Sequence, residues 1–242
     1  MGEKTQLEQV TEFMVGTENI KLTPTIVRQY LVSGDAEKVT MQEVVMFMNL
    51  CKAQKLNPWV RDAYCVKYGS SPASIVVAKG AFEKRADANP SYNGSVAGII
   101  VLKLNEDLER REGALVLPGE KIAGGWAKVW RKDREHPTVI EVTFDEYVGK
   151  KGNGEMNSNW AKRPATMIRK VALVQALREA FPNEFEGMYI AEEQGFSESE
   201  VENISKGMPQ SPDVYVEAEA DPFVAKEDKP EETEGFDITG EE

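Results

Sequence analysis

The segment that most restricts the fold is ATMIRKVALVQALREAF, which runs between Pro164 and Pro182. At 100° per residue, Met167, Ile168, Val171, Leu173, Val174 and Leu177 cover nearly the whole circumference of a helix beginning near Pro164, so much of that helix must be buried. The rest of the chain has to supply the elements that bury it. Thr23-Pro24 followed by TIVRQYLVSG predicts a short helix with Thr23 as N-cap, Pro24 at the first helical position and Gly34 as stop. Thr40 and Glu43 form a capping box ahead of VVMFMNLCKAQKL, whose Val44, Val45, Phe47, Met48 and Cys51 recur at helical spacing and read as core; Asn57-Pro58 ends this helix.

Strands are predicted at DAYCVKYG and ASIVVA, joined by GSSP, followed by a helix at GAFEKRADAN that stops before Pro90. A second strand group comprises SVAGIIVLKL, ALVLP, GGWAKVWRK and PTVIEVTF, with PGEKIAGG joining its second and third members and RKDREHP forming a charged hairpin tip between the third and fourth. The order of helices, strands and helix, with no internal repeat, predicts an α+β domain: a small antiparallel sheet packed by helices.

Charge divides the chain. Residues 1–190 hold 26 Lys+Arg against 24 Asp+Glu, whereas residues 191–242 hold 3 against 17. The net charge of -12 therefore belongs to an acidic C-terminal tail, expected to be disordered from about Ser197, and does not argue against a basic groove in the body. Asp221-Pro222-Phe223-Val224 and Gly235-Phe236-Asp237-Ile238 are apolar islands within that tail. It is either a solubilising extension, or a partner-binding motif or nucleic-acid mimic that competes for the basic site of the body.

Several classes of function are disfavoured. No apolar run approaches the eighteen or so residues of a membrane-spanning helix, and neither a signal peptide nor, with Gln6 at position 6, a myristoylation pattern at Gly2 is present, so a soluble cytoplasmic protein is expected. Cys51, Cys65 and the single histidine, His136, lack disulfide or zinc-knuckle spacing, and the cysteines read as small buried apolar residues. Gly-x-Ser-x-Gly and Gly-x-x-x-x-Gly-Lys-Ser/Thr are both missing, which disfavours serine hydrolases and P-loop motors.

Several groups of residues could meet nucleic acid. Lys162, Arg163, Arg169 and Lys170 gather at the start of the last helix, where cations cost about 0.3 to 1 kcal/mol each unless an anion docks there. They are either solvated or phosphate-binding. Trp160, read as part of the preceding loop, either stacks on a base or caps the core. In GGWAKVWRK, Trp126, Lys128 and Trp130 share one face and Ala127 and Val129 the other. The first face is either a stripe for single-strand binding or a surface covered by a helix, with Lys128 reaching out. Arg131, Lys132, Arg134 and His136, interspersed with Asp133 and Glu135, form either a self-neutralising tip or an arm reaching along a phosphate backbone or into a neighbouring subunit. Lys79, Lys84 and Arg85 are a weaker basic group, and Lys67 and Tyr64 weaker still.

Taken in order, LNPWVRDAYCVKYG, IVVAKGAFEKRA, WRKDREHP and WAKRPATMIRKVALVQALREAFP resemble the RecT/Bet family of phage single-strand annealing recombinases, over roughly residues 40–190. The resemblance implies a small sheet packed by helices, related in outline to eukaryotic annealing proteins, in a single-stranded-DNA-binding and annealing domain spanning residues 1–190. It implies homo-oligomers, as rings or helical filaments, that hold one strand extended, test a second by base pairing and so pass through an annealed duplex intermediate. ATP, cofactor, metal and covalent step are not implied; a phage exonuclease and the host single-strand binding protein are the implied partners, in the cytoplasm of a bacterial host. Carried over position by position, the resemblance assigns DNA contacts to Arg61, Arg131, Lys132, Trp160, Arg169 and Arg178. Ala165 and Thr166 depart from relatives with basic residues there, and the acidic tail is short for a folded partner-binding domain. Two other readings remain: a single-strand coating or RNA-chaperone module that would slow pairing, and a metal-dependent nuclease using Glu141, Asp145 and Glu146.

Overall fold

The long helix is the centre of the architecture. In the computed structural model, which describes residues 10–150 and 153–194, it spans Pro164–Ala180 and buries 11 of its 17 residues. Because it is enclosed on several sides, its apolar residues form no single stripe. A four-stranded sheet lies on one side, and two short helices and one longer helix pack elsewhere on its circumference. All described residues fall within Met1–Met208, the first of two units into which the chain divides. Of the acidic tail, residues 191–194 are among those described; the remainder, with Phe223 and Phe236, lies outside them.

The body begins with a hairpin, β1 (Thr11–Val15) and β2 (Glu18–Leu22), which sequence reading did not find. Its strands are short and half polar; Phe13, Ile20 and Leu22 are buried in the core and Val15 packs against it. Thr23 then caps as expected, its hydroxyl accepting from the Ile26 N–H at 3.2 Å. The helix expected through Gly34 is only partly formed. Helix α1 (Pro24–Ile26) continues as a π turn over Val27–Leu31, and the chain then straightens into β3 (Val32–Gly34). Val32 and Ser33 pair with Cys65 and Val66 of β4 (Ala63–Lys67), and those bonds replace further helix.

Sheet order is β3-β4-β5, with β3 parallel to β4, and β5 (Ser74–Val77) antiparallel to it. Helix α2 (Met41–Ala53) carries the predicted capping box: Glu43 N–H donates to Thr40 Oγ1 at 3.3 Å and Thr40 N–H to Glu43 Oε2 at 2.8 Å. The other oxygen of Glu43 accepts from Lys67 Nζ at 2.7 Å and from the Ala73 N–H at 2.6 Å. One carboxylate therefore caps α2 and fastens β4 and the β4–β5 loop to it. Cys51 and Cys65 are fully buried; burial raises both thiols, Cys65 to about 12.

After α3 (Lys79–Ala88) comes the antiparallel sheet that packs on the long helix: β6 (Tyr92–Leu102), β7 (Leu108–Glu112), β8 (Lys121–Arg131) and β9 (Thr138–Thr143), in the order β7-β6-β8-β9. Ala97, Ile99, Val101, Ala127, Val129 and Val142 form its inner face. The strand expected at ALVLP is not formed; the charged LERRE is the strand instead. Edge position explains the exchange, because an edge strand needs main-chain pairing more than burial. Arg111 of β7 also holds the apolar run as a loop, pairing with Glu120 at 2.7 and 2.8 Å and donating to the Leu115 carbonyl at 3.0 Å. Leu115 and Leu117 are left exposed. Helices α4 (Phe144–Tyr147) and α5 (Ser158–Lys162) lead into the long helix, α6.

Candidate nucleic-acid interface

Strand β8 separates its side chains as its alternation predicts. Ala127 and Val129 face the core with α6, while Trp126, Lys128 and Trp130 point from the opposite face. Trp126 is nonetheless only 9 % exposed. Its indole lies across β6 at Gly98, where an added Cβ would stand 2.7 Å from Nε1 and 2.0 Å from the Arg111 carbonyl oxygen. Its N–H donates to that carbonyl at 3.3 Å. Trp126 is thus a packing residue that supports the face. Lys128 Nζ sits 5.9 Å from the Trp126 ring centroid, within cation–π range. Lys128 and Trp130 are half-buried, Val139 on the neighbouring strand is exposed, and Arg110 pairs with Glu141 across the same face.

The hairpin cations divide into two kinds. Arg131 turns back into the body: its guanidinium donates to the Ala180 carbonyl at the end of α6, stands 4.6 Å from the Phe181 ring centroid and pairs with Asp133 at 2.6 Å. It therefore caps the long helix. Lys132 and Arg134 are exposed, with Lys132 Nζ donating to the Pro90 carbonyl at 3.0 Å. His136 is exposed at the same tip.

The cations around the start of α6 do not converge on one point. Lys162 and Arg163 are exposed, and Arg163 occupies the N-cap position without a capping side-chain bond. Arg169 Nε donates to the Ala97 carbonyl at 3.0 Å, and the buried Lys170 pairs with Glu192 at 2.6 Å. Arg178 holds both oxygens of Glu193 and also donates to the Met188 carbonyl at 3.3 Å. Trp160 stands on α5, not in a loop, and is fully buried, edge-on to Phe144 with centroids 5.4 Å apart. No base can reach it there, so its expected stacking role is withdrawn. The cations at the start of α6 do not join Lys128 and Trp130 in one groove either, because α6 packs on the inner face of the sheet and that pair occupies the outer one.

The remaining expected residues lie elsewhere. Arg61 is exposed at a left-handed position (φ +66°) after the turn Pro58–Val60. Lys79 pairs with Glu83 on α3. Lys84 and Arg85 line a cleft of about 510 Å³, where Lys84 meets Asp62 at 2.9 Å and Arg85 meets the carbonyl and side chain of Gln54. Lys67 is buried against Glu43. Among the described residues, no three His, Cys, Asp or Glu side chains are arranged to hold a metal ion, and Glu141 is engaged by Arg110. No described helix is long and apolar enough to cross a membrane.

The architecture defines an α+β domain whose antiparallel sheet has one face on the core helix and one polar-aromatic face turned outward. The RecT family model matches residues 17–207, and the chain belongs to the RecT family, a family of single-strand annealing recombination proteins. No curated protein matches the chain.

Proposed function

We propose that this protein binds single-stranded DNA along the outer face of the four-stranded sheet and anneals it to a complementary strand without ATP or any covalent step. The observation that carries the location is the pair Lys128 and Trp130. They are neighbours on the sheet face that α6 does not occupy, and both are partly accessible. An aromatic ring stacks on any base and an ammonium attracts any phosphate, so the pair suits a partner recognised without regard to sequence. Lys132 and Arg134 extend the positive surface along the hairpin, and Arg61, Lys79, Lys162 and Arg163 add cationic contacts at other points of the body. Base pairing then supplies the specificity.

The protein acts as a homo-oligomer, ring or filament, in the cytoplasm of a bacterial host, beside a phage exonuclease that exposes single strands and the host single-strand binding protein. Membership of the RecT family and the accessible outer face of the sheet support this reading. The test measures the pairing rate of two complementary oligonucleotides with and without protein, in the absence of nucleotide. Acceleration is expected, with affinity for one strand falling as salt rises. Binding that slows pairing would make the protein a coating module instead, and a steady loss of DNA in magnesium would make it a nuclease.

A further inference from the structure

The segment 185–194 lies across α6 and the edge of β5. Val77 N–H donates to the Tyr189 carbonyl at 2.8 Å, Gln194 Nε2 donates to the Ile75 carbonyl at 3.0 Å, and the turn Ala191–Gln194 delivers two consecutive carboxylates to two cations of α6. The two ion pairs differ. Lys170–Glu192 is sealed, with side chains 9 % and 0 % exposed. At Arg178–Glu193 the arginine side chain is 25 % exposed and the glutamate 7 %, so the opening is on the arginine side, where the guanidinium lies 4.8 Å from the ring centroid of Tyr189, itself 45 % exposed.

We infer that Arg178 and Tyr189 form a nucleotide-binding subsite whose phosphate position is occupied by the carboxylate of Glu193, so that a DNA strand must displace Glu193 to use it. This rests on the reading of the protein as a single-strand binder and adds a competitor to it. The Arg178 fork grips Glu193 through two nitrogens, the arrangement guanidinium also makes with phosphate. Tyr189 presents a ring beside that fork, as a base-stacking contact beside a phosphate contact requires.

Releasing Glu193 does not demand unfolding of the segment, because the sealed Lys170–Glu192 pair and the Val77 and Gln194 hydrogen bonds hold it independently. Only one side chain has to swing into solvent. Glu193 also accepts from its own Ile190 N–H at 3.2 Å, a bond that glutamine can keep through its amide oxygen. Glu193→Gln therefore removes the competing charge and leaves the turn its acceptor.

The test uses the full chain and a labelled single-stranded oligonucleotide, titrated at several salt concentrations. Glu193→Gln is expected to tighten binding by about three- to tenfold at low salt and to steepen the salt dependence by about 0.7, the contribution of one more phosphate contact on a single strand. The gain should vanish when Arg178→Ala is added. The charge-swapped pair R178E/E193R removes the subsite, loses the Met188 and Ile190 hydrogen bonds and so melts lower, and should bind no better than Arg178→Ala. Unchanged or weaker binding by Glu193→Gln, or tight binding by the swapped pair, overturns the inference while leaving the annealing reading intact. If the wild-type protein bound no single strand at any salt, that reading itself would fall.

Discussion

Gly125 of β8 touches the backbone of Ile168 in α6: a Cβ on Gly125 would stand 2.6 Å from the Ile168 carbonyl oxygen and 3.3 Å from the Ala172 side chain. Sheet and helix meet there without an intervening side chain, and the close approach is what lets the sheet cover one side of the helix. Gly125→Ala must push the two layers apart. A cost of about 1 to 3 kcal/mol is expected, typical of overpacking, read as a melting temperature lowered by several degrees.

Lys128→Ala and Trp130→Ala should weaken single-strand binding with folding preserved, since both side chains stand on the outer face. Loss of the ring is expected to cost about 1 to 3 kcal/mol of binding, and loss of the ammonium to flatten the salt dependence by about 0.7. Anisotropy titrations at several salt concentrations separate the two effects. Full affinity in both variants would remove DNA from this face.

Glu43 should shape the acid limb of stability. Burial alone would raise its carboxyl, but the Lys67 ammonium and the Thr40 and Ala73 N–H groups hold it at about 2, below the ordinary 4.5. A carboxyl depressed on folding contributes stability that is complete above about pH 4.5 and is lost as pH falls toward 2. Glu43→Gln leaves the buried Lys67 without its counter-charge and is expected to cost about 3 kcal/mol at neutral pH. The gap between wild type and variant should then narrow on acidification. Glu120, held at about 2 by Arg111, titrates in both proteins and cancels from that difference.

Arg131→Ala should act on stability before binding. It removes the donor to the Ala180 carbonyl and the cation over Phe181, a loss of about 1 to 3 kcal/mol. Melting and DNA titration on the same sample distinguish the roles: a lower melting temperature with affinity changed less than about twofold is expected, and a large affinity loss at full stability would return Arg131 to the interface.

Features set by local pattern were legible in the sequence. The Thr40–Glu43 box, the Thr23 cap, the enclosed last helix and the alternation of Ala127 and Val129 against Lys128 and Trp130 each depend on residues a few positions apart. Apart from the local β1–β2 hairpin, which alternates too weakly to read as two strands, most of what escaped depends on distant partners. Arg169 is engaged by Ala97, 72 residues away, Lys170 by Glu192 and Arg178 by Glu193, and no spacing rule joins those positions. Arg169 and Lys170 are therefore engaged separately within the fold, while Lys162 and Arg163 of the same sequence cluster stay exposed. The exchange of ALVLP for LERRE has a nearer cause, since Arg111 holds the apolar run as a loop through Leu115 and Glu120, four and nine residues on.

The two fastenings of segment 185–194 also set how a pulling force would enter the domain. Tyr189 and Gln194 are tied to β5, whereas Glu192 and Glu193 are tied to α6. Tension applied at Gln194 is thus divided between a sheet edge and the central helix, and no single strand can be peeled away alone. A cargo or surface tethered through the C-terminal side would load the most deeply buried element of the fold, and the anchor should fail only when that element begins to move.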